Sequence, residues 1–233
     1  MRAYQHPTTR NFGDVLPIPI LEHVTGKRPR RADRSETGKV VSVGSVLPVM
    51  RPGDWVWGTG TQTDRRYSAR ETTFLAVRGP LTRAAIDGAH VPEIYGDPAL
   101  LLPDMYAPDV TRRHSVGILA HYMDHSAAAA KHPDALNIWM KGPWRTIIRK
   151  ALSCERIIAT SLHGIVIADA YNIPVTWHGS YSGKIASTSM KFQDYFLGTR
   201  GITVRPGPVP RLPRDEYRML CARLYAAAKQ LPA

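Results

Sequence analysis

At 233 residues the chain is long enough for one large domain or two small ones with a substantial buried core. It is 43% hydrophobic and 21% charged, and no apolar run reaches the roughly 18 residues of a spanning helix, so a fold without a membrane-spanning helix is expected. A formal charge of +12, from 31 Lys and Arg against 19 Asp and Glu, implies an acidic partner or surface. The sign alone leaves nucleic acid, anionic lipid and phosphorylated substrate open.

Cys154 and Cys221 are the two cysteines, too few for a disulfide framework or a multi-cysteine metal site. The N-terminus lacks the apolar core of a secretory signal, and a cytoplasmic enzyme is the expected reading. Basic residues are spread from Lys27 to Arg223 without regularly interleaved aromatics, which argues against a module that stacks single-stranded nucleic acid.

In chain order, the first motif is Asn11-Phe12-Gly13-Asp14, ahead of a helix near residues 18–24. Its glycine permits close backbone approach, and Asn11 and Asp14 can orient a ligand or cap that helix. Strands are expected over 40–47 and 55–57, the latter entering Gly58-Thr59-Gly60. That triplet lacks the spacing and following helix of a dinucleotide fingerprint, so a nicotinamide enzyme is disfavoured. A strand over 74–77 meets Arg78-Gly79-Pro80, with a helix from Leu81 to about Asp87 and Pro80 suited to its first turn. Arg78 thus stands at a strand-to-helix junction, where a guanidinium can fork onto a carboxylate or phosphate or form a salt bridge across the sheet edge. Asp97, before Pro98, fits a cap or turn as well as a ligand contact.

The polar stretch 104–114 is the expected domain boundary. Beyond it come a strand over 116–120, helices over 126–132 and 144–152, a strand at Ile157, a strand over 175–177, a glycine- and serine-rich loop over 179–189 and a terminal helix over 214–230. Short strands alternating with helices imply parallel sheets in two small α/β lobes with a cleft between them. His121 and His125 flank Asp124 without the glutamate of an HExxH pattern, so no metal site is expected there.

The segment 156–174 carries the most information. Its apolar run ends in Thr160-Ser161, presents His163, and becomes an apolar helix that stops before Pro174. His163 then lies in the first helical turn, where unpartnered N–H groups and the helix dipole favour anions. A satisfied structural histidine is the competing reading.

Together with Val77-Arg78-Gly79-Pro80, Gly96-Asp97-Pro98-Ala99, Thr160-Ser161-Leu162-His163-Gly164, Tyr171-Asn172-Ile173-Pro174 and Lys191-Phe192-Gln193-Asp194-Tyr195, the Asn11 motif makes the chain resemble the polysaccharide pyruvyl transferase family over most of its length. The resemblance implies two Rossmann-like lobes in a GT-B-like arrangement with a central cleft, residues 1–110 forming a reduced first lobe and 111–233 the second. It also implies phosphoenolpyruvate as donor substrate, a saccharide acceptor and no further cofactor, with a pyruvate ketal installed in exopolysaccharide or cell-surface glycan synthesis. The family histidine carries over onto His163 and the family arginine after a first-lobe strand onto Arg78. Many members have an arginine two positions before the histidine, where this chain has Ser161. Donor binding is therefore expected from Arg78, Ser161, Gly164 and Lys191, with Asn11, Gly13, Asp14 and Asp97 orienting the ligand.

Ketal formation requires protonation of the enol carbon, attack by two hydroxyls and loss of phosphate. An imidazole titrating near neutrality suits the first of these. A nucleotide-sugar glycosyltransferase and a non-catalytic anion-binding or nucleic-acid-binding module are the alternatives. The basic helix around Arg145, Arg149 and Lys150 raises the expectation of peripheral contact with an anionic inner membrane face and a lipid-linked saccharide.

Overall fold

The computed structural model describes residues 1–7, 11–183 and 190–232. Of the expected loop over 179–189, positions 184–189 lie outside the described residues. The first lobe holds β1 (Arg2–Tyr4), α1 (Pro17–Thr25), β2 (Arg30–Ala32), β3 (Val40–Ser42), β4 (Trp55–Trp57), β5 (Tyr67–Ser68), β6 (Thr73–Ala76), α2 (Pro80–Ala84), β7 (Ile86–Asp87) and α3 (Leu102–Met105). Its main sheet has the order β2-β1-β3-β4-β6 with every pair parallel. The second lobe holds β8 (His114–Leu119), α4 (His125–Lys131), β9 (Leu136–Asn137), α5 (Trp144–Leu152), β10 (Cys154–Ala159), α6 (Leu162–Ala170), β11 (Val175–Trp177), α7 (Met190–Arg200), β12 (Gly207–Pro208) and α8 (Arg214–Ala228). Its sheet has the order β12-β11-β10-β8-β9, parallel except for the β11–β12 edge pair. This is a two-lobed α/β fold enclosing a cleft, as the residue pattern implies.

Central strands are apolar on both faces because helices cover both sides of a parallel sheet. Val40, Val41 and Ser42 are fully buried in β3, as are Ile157 and Ala159 in β10. Differences from the sequence reading are local. The strand expected over 40–47 ends at Ser42, because Val43 and Gly44 take positive φ values of 37° and 88° and turn the chain. Helix α2 stops at Ala84, and Ile86–Asp87 instead pairs in parallel with β5. Helix α6 is buried almost all round rather than on one face, every residue but His163 being buried.

The C-terminal helices cross back onto the first lobe. The Trp57 indole Nε1 donates to Leu224 O of α8 at 3.1 Å, and the Tyr217 hydroxyl donates to Leu100 O at 2.8 Å. One apolar core consequently runs through both lobes, including Trp57, Leu100, Ile165 and Leu224. Among the described residues no helix is long and apolar enough to cross a membrane.

Candidate active site

In an open parallel sheet, a crevice forms at the carboxyl ends of adjacent strands whose connections leave in opposite directions. The first sheet has this point between β1 and β3, the second between β8 and β10. Chain at the ends of β1, β3 and β8 lines one cleft. Tyr4 and His6 follow β1, Ser45 and Val46 follow β3, and His121 follows β8; all line the cleft with Asn11, Asp14, Lys141 and Lys191. Its volume is about 860 Å³, within the size range of small-molecule sites.

His163 follows β10 in the first turn of α6, largely buried behind the residues that line the cleft. Gly13 and Gly44 pack against its ring, and their successors Asp14 and Ser45 line the cleft. Its Nε2 is 3.7 Å from Asp97 Oδ2, a charge contact longer than a formed hydrogen bond, and neither atom has a hydrogen-bond partner. Asp97 is fully buried, and its other oxygen accepts from Ala99 N at 2.9 Å as the cap of the turn at Pro98–Leu101. Burial pushes the His163 pKa below the ordinary histidine value; Asp97 and Asp14 oppose this, while Lys191 and Arg78 reinforce it. The imidazole therefore favours its neutral form and gains a proton most readily when negative charge arrives beside it.

Gly13 is required by this packing. A Cβ there would fall 2.0 Å from His163 Cε1, against the roughly 3.5–4.0 Å of a comfortable carbon contact. Gly13→Ala is expected to displace the ring and move the His163 titration seen by NMR. An unchanged titration in the folded variant would show that the Asn11–Asp14 loop gives way instead.

Arg78 is placed behind the cleft wall, with no exposed surface. Its Nε donates to Asp194 Oδ2 at 3.0 Å, its Nη1 to Ser45 Oγ at 2.7 Å, and its Nη2 to Thr61 O. Asp194 on α7 also accepts from Thr82 N at 2.8 Å and Thr82 Oγ1 at 2.5 Å. The arginine thus ties the first lobe to α7 and reaches the cleft through Ser45. Gly60 and Gly79 permit this, since a Cβ would lie 2.4 Å from Arg78 Cζ and 1.9 Å from Asp194 O respectively.

Ser161 caps α6, accepting from Gly164 N at 3.1 Å and donating to Leu119 O at 3.0 Å. Gly164 lets the helix sit against the sheet, where a Cβ would meet Leu119 Cβ at 2.8 Å. Both residues therefore shape the turn, and the Gly164 N–H is already engaged by the cap. Lys191 does line the cleft; burial, reinforced by Arg78, lowers its pKa to about 8. Asn11 pairs its backbone with Lys141 across the lobes, and Phe12 N donates to Met140 O at 2.8 Å.

Three cleft features escape the sequence reading. The spacing of His121 and His125 suits one helix face, but α4 begins only at His125, and His121 lines the cleft with its pKa lowered to about 4, chiefly by burial. Asp124 binds the 180–182 loop, accepting from Ser180 Oγ at 3.0 Å and Ser182 N at 2.9 Å. Ser45 and Asp194, the partners of Arg78, carried no individual signal beyond their neighbourhood to a strand end and a motif. Among the described residues no group of three or more His, Cys, Asp or Glu is arranged to hold a metal ion.

Residues 28–179 match the family model described as polysaccharide pyruvyl transferase. The chain is 33% identical over 177 residues to the succinoglycan biosynthesis protein ExoV of Rhizobium meliloti, covering 72% of this chain and 53% of that protein. It is 27% identical over 192 residues to an uncharacterized protein of Acanthamoeba polyphaga mimivirus, covering 77% and 62%. The chain thus spans between half and two thirds of the length of these relatives. No solved structure matches significantly. With its family model covering well over half of the sequence, the chain belongs to the polysaccharide pyruvyl transferase family.

Proposed function

We propose that this protein transfers the pyruvyl group of phosphoenolpyruvate to a saccharide as a ketal, in the synthesis of an exopolysaccharide or another cell-surface glycan. The observation that carries this reading is His163, 3.7 Å from the buried Asp97 carboxylate and packed against Gly13 and Gly44, whose neighbours Asp14 and Ser45 line a cleft that also presents Lys191. With Nε2 facing Asp97, proton delivery to the methylene carbon of the donor falls to Nδ1. Asp97 stabilises the imidazolium and holds the ring, and the donor's own negative charge raises the His163 pKa on binding. A sugar hydroxyl then bonds to the central carbon, the C–O bond to phosphate breaks, and a second hydroxyl takes the place that phosphate leaves. The two hydroxyl protons leave with phosphate and to the base that His163 has become. Lys191 offsets charge on the departing phosphate, and Arg78 contributes its field from behind Ser45. The ExoV relative, named for succinoglycan biosynthesis, supports a saccharide as acceptor.

The test is incubation with phosphoenolpyruvate and a bacterial glycan extract. Equal yields of released phosphate and of pyruvyl ketal on the saccharide, read by mass spectrometry, are expected. Consumption of a nucleotide sugar in place of phosphoenolpyruvate would overturn the assignment.

Donor affinity should also depend on pH through Lys191. An amine with a lowered pKa is charged below about 8 and neutral above it, so affinity for the anionic donor falls as pH rises through that value. Calorimetric titration across this range checks the slope. Lys191→Met should bind weakly and without that dependence; a persisting slope would assign it to another group.

A further inference from the structure

The described residues leave five large apolar side chains exposed; of these Tyr122 and Met123 line the cleft with Lys141, and Trp139 lies beside Lys141. Tyr122 is 46% exposed, Met123 44% and Trp139 40%. The Lys141 ammonium lies over both rings, 4.8 Å from the Tyr122 centroid and 5.4 Å from that of Trp139. Imidazoles pack against both rings: His121 is 4.4 Å from Tyr122, and His125 packs edge-on to Trp139 at 4.2 Å. The group is anchored as well as exposed. Lys141 pairs with Asn11 of the first lobe, and the neighbouring Met140 is buried and accepts from Phe12 N.

Exposed aromatic rings cost solvation unless something covers them, and here they are interleaved with hydrogen-bond donors rather than with more apolar surface. A pyranose has the matching anatomy, with an apolar C–H face bordered by hydroxyls. The platform is continuous with the cleft, since His121, Tyr122, Met123 and Lys141 share its lining with Lys191. We propose that Tyr122, Trp139 and Lys141 form the acceptor subsite, stacking a hexose ring of the saccharide and directing its hydroxyls towards His163. This rests on the transfer reading for the acceptor's role, but sugar binding at the platform is measurable without turnover.

The full chain is applied to an array of immobilised gluco- and galacto-oligosaccharides of varied linkage, and affinity for the best-retained sugar is then measured in solution. Trp139→Ala and Tyr122→Ala should each weaken that binding by roughly tenfold, and Trp139→Phe should recover most of it. Circular dichroism verifies the fold, and phosphoenolpyruvate affinity of the same variants reports on the donor site separately. Retention of no sugar, sugar affinity unchanged in both alanine variants, or preferential retention of single-stranded nucleic acid would overturn the platform. Sugar binding lost in the alanine variants, with no phosphoenolpyruvate bound by any form, would support the platform and remove the transfer reading instead.

Discussion

His163→Gln is expected to lower pyruvyl transfer by about 10² to 10⁴ while leaving the folded state intact, because general acid catalysis is worth that much. The amide keeps a polar planar group against Gly13 and beside Asp97, but it has no titratable proton to deliver. Phosphate release under saturating donor measures the loss, and thermal unfolding verifies the fold. Near-native turnover would return His163 to a structural role. Asp97→Asn separates positioning from chemistry, since an asparagine can still cap Ala99 N while removing the charge that raises the His163 pKa. The alkaline limb of the pH–rate profile should then move to lower pH, because the acid form of His163 is lost sooner. A change in maximal rate with an unmoved limb would show that Asp97 does not set this proton.

The two-lobed α/β fold was legible because the strands are buried on both faces and so read as short apolar runs. Trp55–Trp57, Trp144–Leu152 and Val175–Trp177 stand where the pattern places them. Boundaries failed where backbone geometry outranked hydrophobicity, as at Val43 and Gly44, whose positive φ values cut β3 short. The place of His163 in the first turn of α6 was legible because strand, cap and helix signals coincide within a few residues. Gly13 could be seen as a close-approach glycine, but the ring it accommodates lies 150 positions away. The setting of Arg78 was not readable, since its partners are 33, 17 and 116 positions distant and come from three segments. Local sequence carries propensity and capping; it carries no record of which distant carboxylate will meet a buried cation. Trp139 and Tyr122 were invisible for the same reason, as apolar residues whose exposure only the tertiary structure reveals.

Arg78→Met should destabilise the protein by about 3–5 kcal/mol, since it leaves the Asp194 carboxylate buried without its counter-charge. For a chain of this size that corresponds to a loss of roughly 6–20 °C in Tm. The pair joins the first lobe to α7, so the loss should also loosen protection of α7 against hydrogen exchange. Arg78→Met combined with Asp194→Asn should recover much of the deficit, because the asparagine still accepts from Thr82 and no unpaired charge remains. Strictly additive losses in the double variant would show that the two residues are not energetically coupled. Arg78→Lys keeps the charge but cannot serve Asp194, Ser45 and Thr61 at once from the positions of a planar fork, so it should fall between wild type and Met. A second readout separates this support from the effect of Arg78 on the cleft. Arg78 helps to hold Lys191 near a pKa of about 8, and its removal should raise that value towards the ordinary lysine range. Donor affinity in any folded Arg78→Met protein should therefore persist to higher pH than in wild type, even if it is weaker throughout. An unmoved pH limb would confine Arg78 to its structural pair with Asp194 and take its field out of the donor site.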